Sequence, residues 1–215
     1  MPQLSLLCFG DSNTHGTLAM RHQGDRRRLP KGDRWPDVMA QALGRQWDVI
    51  SEGHPGRTTV HDDPIEGAHK NASRALHALL ESHRPLDLVL VMLGTNDLKA
   101  RFAIPASEIA LGVQRLVLEI SASDCGPDGK APEILIVAPV SVLETGSFTD
   151  IFSGAQEKSL ALPGALRAVA EQLGVGFADA NDVAVCDPVD GIHLDADAHA
   201  ALGAHLAKAV TLLDV

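Results

Sequence analysis

The chain has 215 residues, 45% hydrophobic and 21% charged, with 18 Lys and Arg against 28 Asp and Glu for a formal net charge of −10. This composition predicts one globular domain over 1–215 and excludes collagen-like and disordered classes. The acid excess argues against nucleic acid as a partner, and the cluster Arg26-Arg27-Arg28 is too short to reverse it.

Residues 4–9 are an apolar run broken only by Ser5 and predict a first strand. A helix is expected over 35–43, with Pro36 near its start and Gly44 just past its end. Residues 47–50 read as a second strand, followed by a helix over 68–82 that places Ala72, Leu76, Leu79 and Leu80 on one face. A third strand follows over 86–93 and a helix over 106–122. A fourth strand at 134–138, a helix over 160–173, a fifth strand at 175–178 and a helix over 196–213 complete the series, the last with Asp195 as its N-cap. Apolar runs without strict alternation suit parallel strands covered on both faces. Five strand–helix repeats predict an α/β fold, an open parallel sheet with helices on both sides. The least regular stretches are 17–33 and 139–158, and loops this long are more often functional than idle.

Three cysteines, Cys8, Cys125 and Cys186, are widely spaced with no C-x-x-C pair, so no disulfide framework is expected. No apolar stretch approaches the ~20 residues of a membrane span, and the first apolar run lacks a basic leader. A cytoplasmic protein with no membrane partner is expected. No H-x-x-x-H or H-E-x-x-H spacing suggests a metal, and no G-x-G-x-x-G or phosphate loop follows a strand.

In sheets of this class ligands bind beyond the carboxyl ends of the strands. Those ends carry Gly10-Asp11-Ser12-Asn13-Thr14-His15-Gly16, Glu52-Gly53-His54-Pro55-Gly56-Arg57-Thr58, Gly94-Thr95-Asn96-Asp97 and Asp190-Gly191-Ile192-His193. Ser12 needs a base to become a nucleophile; His193 can be that base, and Asp190 can fix its tautomer. The oxyanion formed on attack needs donors, for which the Ser12 and Gly56 N–H groups and the Asn96 amide are candidates. Taken singly, each residue has an ordinary role: Ser12 as a helix cap, Asp190 and His193 as turn and surface residues, Asn96 with Asp97 as an Asx-turn. Their joint placement at strand ends favours the catalytic role. His15 and His54 lie on the same rim. His69, His77 and His83 are expected on the surface, and His199 and His205 exposed or partly buried on the last helix.

On these blocks, in this order, the chain resembles the SGNH hydrolases, also called the GDSL esterase/lipase family. Gly10-Asp11-Ser12 matches the first block, Gly53-x-x-Gly56 the second, Gly94-Thr95-Asn96-Asp97 the third and Asp190-x-x-His193 the last. Asn13 stands where the family name has Leu, and Ser51 where the second block often has Asn. The resemblance implies a flavodoxin-like three-layer α/β/α sandwich with a five-stranded parallel sheet of order 2-1-3-4-5 and no cofactor. It also implies nucleophile Ser12, base His193, acid Asp190 and oxyanion donors Ser12, Gly56 and Asn96. Asp11, His15, Thr95 and Lys99, in the same loops, are expected to contact substrate. Met92 through Ala100 and Arg57-Thr58-Thr59 resemble the bacterial arylesterase and acetylesterase branch, which implies short-chain esters of small alcohols, phenols or sugars, some acyl transfer, and homo-oligomers. A thioesterase or lysophospholipase would use the same residues. A flavodoxin-like binding domain without catalysis would not need Ser, His and Asp together at strand ends.

Overall fold

The sheet is built from five short strands, the central ones almost wholly apolar. In the computed structural model, which describes residues 3–213, these are β1 (Leu4–Gly10), β2 (Trp47–Gly53), β3 (Leu88–Met92), β4 (Glu133–Ala138) and β5 (Gly176–Asp179). All neighbours are parallel, in the order β2-β1-β3-β4-β5. Alternate residues of each strand point to opposite faces. Leu7, Phe9, Val89, Val91, Ile134 and Ile136 join one core with α3 (Ser73–His83), α4 (Ala106–Ser121) and α5 (Ala155–Leu173). Leu6, Cys8, Leu88, Leu90, Leu135 and Val137 join a second core with α2 (Trp35–Leu43) and α6 (Ala196–Thr211). Burial on both faces explains why the strands read as unbroken apolar runs. Cys8, Cys125 and Cys186 are buried and unbridged.

Several boundaries differ from expectation. β2 runs on to Gly53, its polar Ser51 and Glu52 pairing with Cys8 and Phe9 of β1. The helix expected over 68–82 starts at Ser73, because Thr58 takes the backbone of the preceding turn: its N–H donates to Lys70 O at 2.9 Å and its carbonyl accepts from Ala72 at 3.2 Å. α5 begins at Ala155 rather than 160, so the tail of the stretch read as irregular is helical, its polar Gln156, Glu157 and Lys158 having masked the apolar stripe. The last helix ends at Thr211, not 213. The sequence reading also missed α1 (Ser12–His15), a single turn directly after β1.

α1 lies hard against the end of β2. A Cβ on Gly53 would fall 2.2 Å from the His15 backbone nitrogen, so only glycine lets the two elements meet. The carboxyl ends of β1, β2 and β3 thereby converge on one rim.

Candidate active site

Ser12 is the first residue of α1. Its neighbour Asp11 caps that turn, accepting the Asn13 N–H at 2.9 Å, and the turn closes on Gly16 in the left-handed conformation. Ser12 therefore sits where strand turns into helix, on the wall of a cavity of about 420 Å³.

His193 approaches from the loop before α6. Its Nε2 lies 3.0 Å from Ser12 Oγ and its Nδ1 2.6 Å from Asp190 Oδ2. With the carboxylate on Nδ1, the ring is protonated there and Nε2 is free to accept the serine proton. Asp190 is wholly buried. Burial alone would raise its carboxyl, but the hydrogen bond and charge of His193, with donation from backbone N–H groups, hold it below the ordinary carboxylate range. Those donors are Ile192 and His193 onto Oδ1, both at 3.0 Å, and Met20 onto Oδ2 at 2.7 Å.

Two side chains fix the relay that sequence reasoning did not single out for this role. Asn13 Nδ2 donates to Ile192 O at 3.1 Å and its Oδ1 accepts from Leu194 N at 3.2 Å, gripping the backbone on either side of His193. The second is Ser147, whose hydroxyl donates to Met20 O at 3.0 Å. The two long loops, 17–33 and 139–154, thus meet at Met20, directly over the Asp190 carboxylate. Phe148, from the second loop, stands edge-on to the His193 ring with centroids 6.3 Å apart.

The other side of the cavity holds Gly56 and Asn96. Gly56 has a φ of +81°, which exposes its turn without a steric cost. Arg57 anchors that turn: its guanidinium donates to Gly10 O at 2.8 Å and to Glu52 O, and lies over the Phe9 ring at 4.4 Å. Burial brings its pKa down to about 10. Asp97, fully buried, accepts the Thr59 N–H on both oxygens at 3.0 Å, the Thr59 hydroxyl at 2.7 Å and His61 Nδ1 at 3.1 Å. It is the hinge pin between the Asn96 turn and the Gly56 loop; exposed Ser51, at the position where Asn is frequent, has no part in this. The Asn96 Nδ2 is buried and has no hydrogen-bond partner. A free amide donor at this point is suited to a developing oxyanion.

Of the residues expected to touch substrate, Lys99 lines the cavity beside Ser12, Gly56, Asn96 and His193. Asp11 and Thr95 lie buried outside the lining. Burial raises the Asp11 carboxyl above its ordinary range despite the Asn13 N–H and the nearby charges of His193 and Arg57. His15 lines an adjoining cavity of about 190 Å³ and pairs with the Thr17 hydroxyl at 2.9 Å. The expectation for His199 is corrected: it is completely buried, packed in the α2–α6 seam with Nδ1 accepting Trp35 N–H at 3.2 Å. Leu202, Leu206 and Val210 continue its stripe at helical spacing, a signal that marks it as interior. Among the described residues no group of three His, Cys, Asp or Glu side chains is arranged to hold a metal ion, and no helix is long and apolar enough to cross a membrane.

Residues 8–201 match the model of the GDSL-like lipase/acylhydrolase family. A carbohydrate acetylesterase from Sinorhizobium meliloti is 39% identical, with 98% of this chain and 99% of that one covered and a TM-score of 0.94. The aryl esterase of M. smegmatis is 38% identical over 98% of this chain and 99% of its own, with a TM-score of 0.93. A member of the lipolytic G-D-S-L family from Veillonella parvula, 15% identical over 98% and 100% of the two chains with a TM-score of 0.69, shares the fold. No curated protein matches the chain.

Proposed function

The chain belongs to the GDSL-like lipase/acylhydrolase family, and we propose that within it this protein is a cytoplasmic, homo-oligomeric serine esterase that removes short acyl groups, acetyl above all, from small alcohols, phenols or sugars. The observation that carries this reading is the Asp190–His193–Ser12 relay opening onto the same cavity as the unpartnered Asn96 amide. The similarity to a carbohydrate acetylesterase and to an aryl esterase supports the substrate class.

In this reading His193 Nε2 takes the Ser12 proton as Oγ attacks the acyl carbon. Charge then develops on the carbonyl oxygen, where the Ser12 and Gly56 N–H groups and Asn96 Nδ2 receive it. The C–O bond to the alcohol breaks, and His193 returns the proton to the leaving oxygen. Water, activated by the same imidazole, releases the acyl group from Ser12; a second alcohol in its place gives acyl transfer. Asp190 stays ionised throughout and orients the ring. A short acyl group fits a cavity of about 420 Å³ whose lining includes charged Arg26, Glu66, Lys70, Lys99 and Arg101 as well as apolar Phe148, Ile151, Phe152 and Ile192. Each extra buried CH₂ contributes about 0.8 kcal/mol only where an apolar surface continues to receive it.

The test is fluorophosphonate labelling with kinetics on p-nitrophenyl esters from acetate to decanoate. The expected outcome is stoichiometric labelling of Ser12, lost in Ser12→Ala, and kcat/KM falling with chain length. Near-normal turnover by folded Ser12→Ala would refute the mechanism, and a rise with chain length would refute the substrate class.

A further inference from the structure

The chain carries ten excess negative charges, yet the cavity holding Ser12 has a positive wall. Two of its cations are already neutralised. Lys99 Nζ lies 2.5 Å from Glu66 and 3.5 Å from Asp63, and Arg101 lies 3.0 Å from Asp63 and 3.4 Å from Glu66. Two cations and two carboxylates close on themselves. Lys70 and Arg26 line the same cavity, and among the described residues neither has a carboxylate within ion-pair distance.

Lys70 is held close to the reacting centre. Its Nζ donates to Pro55 O at 2.8 Å, on the turn that carries Gly56, and a Cβ on Gly56 would come 3.1 Å from Lys70 Cε. Burial, the largest cause, lowers the ammonium's pKa, with Glu66 and Asp63 acting against it and Lys99 and Arg57 in the same sense. His54, 3.5 Å from that ammonium, is pushed down to about 4 by burial and then by Lys70 and Arg57. It is therefore neutral at physiological pH and adds no charge to this wall. Arg26 stands on the loop that also supplies Met20, and lines both this cavity and the adjoining one. A cleft whose lining is net positive focuses its field on the ligand that enters.

We propose that the alcohol half of the preferred ester carries an anionic group, a carboxylate above all, received between Lys70 and Arg26. The proposal rests on the serine esterase reading. It assigns the charge to the alcohol half because an acetyl group ends at its methyl, so whatever reaches this wall belongs to the other side of the ester.

The probes are para-acetoxybenzoate and its neutral counterpart para-acetoxybenzamide, compared by the ratio of their kcat/KM values. The measurement is made on the wild type, Lys70→Glu and Arg26→Glu. The intrinsic reactivity of the two esters cancels when ratios are compared between enzymes. The expected result is a carboxylate-to-amide ratio about tenfold lower in Lys70→Glu and several-fold lower in Arg26→Glu, as a reversed charge near a protein surface should produce. Raising the salt from about 20 mM to about 0.5 M should shrink the wild-type ratio toward those of the variants. Equal ratios in all three enzymes, insensitive to salt, overturn the proposal while leaving the esterase reading intact. Hydrolysis of neither ester by the wild type overturns the esterase reading and this one with it. Should Lys70→Glu fail to fold, Arg26→Glu, at an exposed loop position, decides alone.

Discussion

Acid should weaken this fold through His199. The imidazole is fully buried, its Nδ1 accepts the Trp35 N–H, and its Nε2 has no partner. Burial is the main cause that lowers its pKa from 6.5 to about 4, outweighing the opposing charge of Asp195. In the unfolded chain the ring titrates near 6.5, so between pH 6.5 and 4 the unfolded state binds a proton that the folded state refuses. Stability contributed by the neutral ring is complete above that window and is lost as pH falls through it. Linkage at about 1.36 kcal/mol per pH unit gives a loss of about 2 kcal/mol between pH 7 and pH 5 from this group. In a chain of this size that is a fall in Tm of about 4–8 °C. The control is His199→Asn, which keeps an acceptor near the Trp35 N–H and cannot titrate in this range. It should be less stable at pH 7, from lost packing, yet lose about 2 kcal/mol less than the wild type on going to pH 5 by urea unfolding. The other titrating groups act equally in both proteins and cancel. Parallel stability curves for the two proteins would refute the argument.

Asn96→Ala should lower kcat by about 10²–10³ with little change in KM, since its amide is proposed to meet charge that exists only in the transition state; an effect confined to KM would reassign it to ground-state binding. Asn13→Leu removes both hydrogen bonds that grip the His193 backbone, so kcat should fall at least tenfold while the Ser12-independent stability falls by about 1–3 kcal/mol, the cost of stranding buried backbone groups. Unchanged kcat in that variant would show that Met20 and the Asp190 turn position His193 unaided.

The central strands β1, β3 and β4 were legible because they are buried on both faces, which leaves little in them except apolar residues. Legibility failed where polar residues take part in regular structure: Ser51 and Glu52 at the end of β2, and Gln156 to Lys158 at the start of α5. The helix over 68–82 was read too long for a different reason. Its first turn is spent on long-range pairing with Thr58, which no local pattern can report.

The site divides along the same line. The side chains to which the proposal gives chemical roles sit in the loops beyond the strands, so Ser12, Asn96, Asp190 and His193 stand out by type and spacing. What holds them is mostly backbone. Asp190 receives N–H groups from Met20, Ile192 and His193, and a main-chain donor leaves no signature, since almost any residue type supplies one. Asn13 was visible as a departure from the family's leucine, but its partners lie about 180 positions away and are carbonyl and amide groups of Ile192 and Leu194. The departure has a physical meaning only once those strand ends are folded together. A leucine there could make neither bond, whereas asparagine ties the helix bearing Ser12 to the loop bearing His193. Their relative position, which sets the 3.0 Å approach of Nε2 to Oγ, is thereby fixed by directional bonds rather than by packing alone.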